Sequence, residues 1–154
     1  MKILVFSDTH TRLGPMVKAV REMEPDLILH LGDHDQDAQT LAREFSHIPL
    51  RVVRGNCDFG AKTPLLEDFL FAGKRIVMTH GHRYNVKWDY TDAIEMGRAS
   101  GADILLFGHT HVAHYEQAGK MHVLNPGSAG AGLQKSCGLI RVTDEGILCS
   151  HLAL

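Results

Sequence analysis

Apolar residues in this chain come in short unbroken runs, and most of the runs stop at a glycine or a polar turn. Residues 2–6, 27–31, 49–54 and 104–107 are of this kind. They are too short for helices and show no in/out alternation, the pattern of strands buried on both faces. Between them, residues 16–23 carry Met16, Val17, Ala19, Val20 and Met23 at helical spacing, with Pro15 in the first turn and Pro25 just beyond the end. Residues 37–45 place Ala38, Leu41, Ala42 and Phe45 on one side of a second helix. The order strand, helix, strand, helix, strand predicts a parallel sheet with right-handed crossovers.

The texture then changes. Residues 67–71 and 75–79 read as a hairpin around Ala72-Gly73-Lys74, and residues 88–99 as a third helix with Ala93, Ile94, Met96 and Gly97 inward. The remainder reads as two hairpins, 114–117 with 121–124 and 138–142 with 147–151, separated by Asn125-Pro126-Gly127-Ser128 and a glycine-rich stretch. Helices early and hairpins late predict two packed sheets with helices outside.

At 154 residues the chain fits one domain, read as 1–154, with enough residues to bury a core. A net charge of -2 argues against a dedicated nucleic-acid binder, which would carry a basic surplus. The first apolar run is too short for a leader or a membrane span, and three cysteines (Cys57, Cys137, Cys149) cannot form a closed disulfide set. Both points favour the cytoplasm. The eleven histidines are the one unusual feature of composition.

Those histidines fall into a pattern. Five places follow an apolar run with metal-capable side chains: Asp8-x-His10, Asp33, Asn56, His80 and His109-x-His111. In open α/β sheets the ligand crevice lies beyond the carboxyl ends of the strands, so these places are expected to converge. Two imidazoles at i and i+2 share a face in extended backbone but diverge in a turn, where His109 and His111 could serve neighbouring metals. Mixed nitrogen and oxygen donors suit manganese, iron, cobalt, nickel or zinc better than calcium or magnesium. Two such cations about 3.5–4 Å apart clamp a phosphoryl group and generate hydroxide at neutral pH. Asp33, the lone acid of its motif, is the candidate to bridge them.

Asp8-x-His10, Gly32-Asp33, Gly55-Asn56-x-Asp58, His80-Gly81-His82 and Gly108-His109-x-His111, in that order, resemble the calcineurin-like metallophosphoesterases. The Gly-Asn-Cys-Asp variant and Asn125 to Ser128 look most like their compact bacterial and archaeal phosphodiesterases. The resemblance implies a four-layer α/β/β/α sandwich with two central mixed sheets. It also implies a phosphodiesterase in which a metal-bridging hydroxide attacks phosphorus in line. One metal would take Asp8, His10, Asp33 and His111; the other Asp33, Asn56, His80 and His109. The substrate class implied is a small phosphodiester, such as a nucleotide, with no membrane partner; a homodimer or higher homo-oligomer is left open. Asn56, Cys57, Asp58 and His82 are the expected catalytic group around the metals. The family more often has His where Cys57 stands. A thiol is a weak acid beside imidazolium, so either catalysis is slowed, with help from a group such as His82, or the smaller side chain widens the pocket.

Plainer readings stand beside these. Asp58 either supports the site from behind or caps a turn. His82 either touches substrate or lies on the surface. His34 could line the cleft mouth, whereas Asp35 and Asp37 read as solvated acids at a helix start. His30 reads as a hydrogen-bonded core histidine, Arg83 as a surface cation, Thr110 as a spacer, and Trp88 and Tyr90 as packing. The main alternative in function is a binding scaffold on the same fold with weak or no catalysis. A decayed site should have lost ligands, and every position here keeps a capable donor.

Overall fold

The computed structural model describes residues 1–154. The strands alternate with helices, then pair into hairpins. β1 (Lys2–Phe6), β2 (Leu27–His30) and β3 (Leu50–Val52) run parallel; β9 (Ser136–Thr143) adds antiparallel to β1, and β10 (Gly146–Ala153) to β9. That sheet has the order β10-β9-β1-β2-β3. In the second sheet, β5 (Lys74–Thr79), β6 (Ile104–Leu106) and β8 (Met121–Pro126) are parallel. β4 (Leu66–Phe71) and β7 (Ala113–Ala118) pair antiparallel at the two edges, giving β4-β5-β6-β8-β7. Helices α1 (Leu13–Met23) and α2 (Asp35–Glu44) cover the first sheet, and α3 (Thr91–Ala99) covers the second.

The burial explains why the strands carry no polar alternation. Ile3 and Val5 face inward with Leu27, Leu29, Ile76, Met78 and Ile104, filling the space between the sheets. Leu4 and Phe6, on the opposite face of the same strand, pack with Met16, Val20, Leu41 and Phe45 under α1 and α2. Val77, Leu105, Phe107 and Val123 do the same under α3 with Ala93. Three apolar layers therefore separate four structural layers, and a strand in the middle must be apolar on both sides. This is the α/β/β/α sandwich with two mixed sheets that the family resemblance implies, and it has the two packed sheets with helices outside expected from the sequence pattern.

The predicted elements are found, with ends that move by a few residues. Helix α1, expected from residue 16, starts at Leu13, and α3, expected from residue 88, starts at Thr91. Tyr90 is the N-cap residue, and Asp89 Oδ1, in the turn before it, accepts the Thr91 backbone N–H at 2.9 Å. Trp88 is thereby left in the preceding loop at 89% exposure, and its expected packing role is wrong. Tyr90 does pack, with its ring 4.8 Å from Phe107 and 4.7 Å from His114.

Candidate metal centre

All five chemical motifs leave the carboxyl ends of parallel strands on one side of the sandwich: Asp8 after β1, Asp33 after β2, Asn56 after β3, His80 after β5 and His109 after β6. The backbone there is unusual. Asp8, His10, Asp33, His109 and His111 all adopt positive φ, between 47° and 68°. Side chains disfavour that region, and such strain gathers where a site demands a geometry the chain would not choose. The turn resolves the direction of His109 and His111, which leave in different directions.

Two clusters result. Asp8, His10 and His111 bring one ligand atom each to within 4.8 Å of one another, as do Asp33, His80 and His109. His111 Nε2 lies 3.0 Å from Asp8 Oδ1. His80 Nε2 is 3.1 Å from His109 Nδ1, 3.0 Å from Asn56 Oδ1 and 3.4 Å from Asp33 Oδ2. It is also 4.0 Å from Asp8 Oδ1, so the clusters abut.

The donor chemistry fits cations. His80 is fully buried, and its Nδ1–H donates to the Leu31 carbonyl at 2.7 Å. That contact fixes the tautomer and leaves the Nε2 lone pair facing the cluster, the arrangement of a ligating histidine. His10 Nε2 is buried with no hydrogen-bond partner in the protein, an expensive state for a polar atom unless something else binds it.

Charge follows the same logic. Burial works to raise the Asp33 carboxyl, but the His80 ring and the Cys57 backbone N–H outweigh it and hold Asp33 well below the usual carboxylate range. Burial likewise disfavours protonated His80, yet the Asp33 and Asp8 carboxylates prevail and raise its pKa. His109 is lowered to about 4 by burial and then by its His80 neighbour.

Close approach explains two glycines. A Cβ on Gly55 would collide with the Asp33 carboxylate, and one on Gly108 would collide with the Ser7 hydroxyl, which itself bonds Asp8 Oδ2 at 2.5 Å.

The expected catalytic group divides. Asn56 stands at the second cluster through its Oδ1. The Cys57 thiol is exposed, while its N–H donates to Asp33 Oδ1 at 2.9 Å; burial first, then Asp33, raises its pKa. Asp58 hydrogen-bonds neither the Asn56 side chain nor an imidazole ring. It accepts four backbone N–H groups, from Asp33 (2.8 Å), His34 (2.7 Å), Asp35 (3.0 Å) and Gly55 (2.7 Å), and so ties two ligand loops together. His82 opens a single 3-10 turn, His82–Tyr84, with its ring 5.4 Å from His80 and 6.1 Å from His109. Its Nδ1 is buried without a partner, and burial and then His80 lower its pKa.

Several supporting residues were not legible as such. Asp37 and Asp35, expected in solvent, are 6% and 8% exposed. Asp37 Oδ2 accepts the Thr9 hydroxyl at 2.6 Å and the Thr11 N–H at 2.9 Å, holding the loop that carries Asp8 and His10. Asn125 Nδ2 donates to the Gly108 carbonyl at 3.1 Å and Thr110 Oγ1 at 2.9 Å, and the Ser128 hydroxyl donates to the Asp8 carbonyl at 2.7 Å. The only advance signal was the polar run Asn125 to Ser128 after a strand. His34 stands with its ring 5.0 Å from His10, and His30 is a buried core histidine between Thr9 and Gly32.

The sequence matches the calcineurin-like phosphoesterase superfamily domain over residues 1–145. The chain belongs to the calcineurin-like phosphoesterase superfamily. It is 37% identical over 134 residues to the probable metallophosphoesterase YsnB of Bacillus subtilis, covering 83% of this chain and 75% of that one. It is 28% identical over 148 residues to the phosphodiesterase MJ0936 of Methanocaldococcus jannaschii, covering 82% and 83%. A solved structure of a predicted phosphoesterase from Streptococcus pneumoniae superposes with a TM-score of 0.82 at 25% identity, covering 99% of this chain and 88% of that one. The paired clusters are therefore groups of metal-capable side chains within a phosphoesterase domain.

Proposed function

We propose that this phosphoesterase is a dinuclear enzyme acting on small phosphodiesters. The observation that carries the reading is the pair of abutting clusters, each with a carboxylate and two imidazoles whose ligand atoms lie within 4.8 Å of one another. Asp8, His10 and His111, with Asp33, would hold one cation; Asp33, Asn56, His80 and His109 would hold the other. Mixed nitrogen and oxygen donors select manganese, nickel, iron, cobalt or zinc. Two such cations, when bound, supply a nucleophilic water at neutral pH and neutralise phosphoryl oxygens.

The protein's own groups set the geometry. The Leu31 carbonyl orients His80, Asp58 and the Cys57 N–H fix Asp33, and Asp37 with Ser128 fixes the loop bearing Asp8 and His10. His82 is the group whose Nδ1 has no protein partner beside the second cluster; it hydrogen-bonds the substrate phosphoryl group there. Burial and the neighbouring Asp33 raise the Cys57 pKa, and a thiol is a weaker general acid than an imidazolium. Diester preference rests on the relatives named phosphodiesterases. The three free cysteines fit a reducing cytoplasm, and no helix is long and apolar enough to cross a membrane.

The test is metal analysis of the purified protein, then hydrolysis of bis(p-nitrophenyl) phosphate and p-nitrophenyl phosphate with manganese or nickel added. Metal-dependent cleavage of the diester, lost in Asp33→Ala, is expected. Tight metal binding with hydrolysis of neither ester would replace the enzyme by the scaffold.

A further inference from the structure

Beside the second cluster runs a groove of about 610 Å³ whose walls include Lys87, Trp88, Tyr90, Thr110 and Val112. It lies next to the loops that carry the metal-binding histidines: Thr110 on its wall stands between His109 and His111 in the chain, and Val86, also on its wall, packs over Gly81 between His80 and His82. Its far wall is fixed: Tyr90 is packed against Phe107 and His114. Its near wall is apolar and bare, with Trp88 89% exposed and Val112 60% exposed. An indole is the largest apolar surface a side chain can leave in water, and a flat, exposed one beside a phosphate site is suited to stacking on another ring. The charges in the groove sort themselves. Asp89 spends a carboxylate oxygen on the Thr91 N–H at the start of α3. Lys87 is exposed on the same wall, next to Trp88 in the chain. The groove thus offers one cation together with aromatic and aliphatic surface, the chemistry of a phosphate joined to a base.

We infer that this groove is the binding site for the nucleobase of a nucleotide phosphodiester, with Trp88 stacking on the base and Lys87 facing the phosphate. This deepens the phosphodiesterase reading and rests on it. Trp88 is a specificity-determining residue: it holds the group that stays on phosphorus and takes no part in bond breaking.

Trp88 is the only tryptophan of the chain, so its fluorescence reports on the groove without labelling. The metal-loaded protein is titrated with adenosine monophosphate and, separately, with methyl phosphate. Saturable quenching by the nucleotide and none by methyl phosphate at equal concentration is expected. No quenching, or equal responses to both, overturns the inference. Emission that is blue-shifted at high protein concentration and moves to the red on dilution also overturns it, because a second copy then covers the indole.

The kinetic arm compares the p-nitrophenyl ester of thymidine 5′-monophosphate with methyl p-nitrophenyl phosphate, which share a leaving group. Trp88→Ala should lower the ratio of kcat/KM for the two by about fivefold to 150-fold, mainly through KM for the nucleotide ester. An unchanged ratio refutes the role. The titration needs no turnover. Failure of the enzyme to cleave either ester would therefore count against the phosphodiesterase reading, while quenching would still decide whether the groove takes a base.

Discussion

Asp58→Ala removes the acceptor of four backbone N–H groups at once, from Asp33, His34, Asp35 and Gly55, all between 2.7 and 3.0 Å. A hydrogen bond to a charged acceptor contributes ~1.5–3 kcal/mol net, and an abandoned donor costs ~1–3 kcal/mol when water cannot reach it. Asp58 is half-buried, so water recovers part of each bond, and ~1 kcal/mol per donor is the working figure. Four donors give ~4 kcal/mol, a large share of an ordinary folding free energy of about 5–15 kcal/mol. The loss has a local address. Asp33 and His34 are held at φ of 57° and 72°, a conformation costing ~1–2 kcal/mol per residue, and without the clamp they relax first. Asp58→Asn keeps one oxygen and should lose about half as much as Asp58→Ala. Urea denaturation of the metal-free proteins measures this. With a slope of about 2 kcal/mol per molar urea, the midpoint should fall by ~2 M for Ala and ~1 M for Asn. A fall below about 0.5 M for Ala, or no difference between the variants, refutes the clamp.

Other consequences can be checked separately. Gly55→Ala drives a Cβ into the Asp33 carboxylate; bound metal and diesterase activity should fall by at least about tenfold, whereas Gly14→Ala, in α1 with nothing within 4 Å of the added carbon, should leave both unchanged. Burial depresses His30 from 6.5 to about 4 against the pull of Asp37. The unfolded chain therefore binds the extra proton first, and His30 should take ~3 kcal/mol from the stability of the metal-free protein between pH 6.5 and about 4, in addition to the loss from His109, lowered in the same sense. His30→Asn should make that limb shallower by about this amount, and an unaltered limb in urea titrations across the range would dismiss it. Cys57→His places an imidazole where the thiol stands and should raise the diester rate if turnover lacks an acid; an equal or lower rate at equal metal content would favour the view that Cys57 only makes room.

How far the chain could be read in advance depended on the distance over which each residue acts. The strands were legible because four layers demand strands apolar on both faces, and Ile3 and Leu4 serve two different cores. The convergence of Asp8, Asp33, Asn56, His80 and His109 was legible because parallel strands deliver their carboxyl ends to one side. The scaffolding behind them was legible only in part: a supporting role was one reading of Asp58 and a loop beside the site one reading of Asn125 to Ser128, but their partners, and the burial of Asp37, were not. Asp37, Asp58, Asn125 and Ser128 act through backbone groups 17 to 120 residues away in sequence, or reach across a turn between two ligand loops, and no local spacing marks such contacts. Asp35 and Asp37 looked like helix-start acids and are, but the loops fold over them and take them out of water. Trp88 misled for a simpler reason: aromatic residues before a helix usually pack, and here the helix starts at Thr91, too late for Trp88 to reach the core.

The central claim is that seven side chains from five strand ends hold two cations in one pocket. Anomalous diffraction from crystals grown with manganese tests it directly. The account predicts two peaks about 3.5–4 Å apart, one against Asp8, His10 and His111 and the other against Asn56, His80 and His109, with Asp33 touching both. A single peak, or cations bound away from these residues, would contradict it.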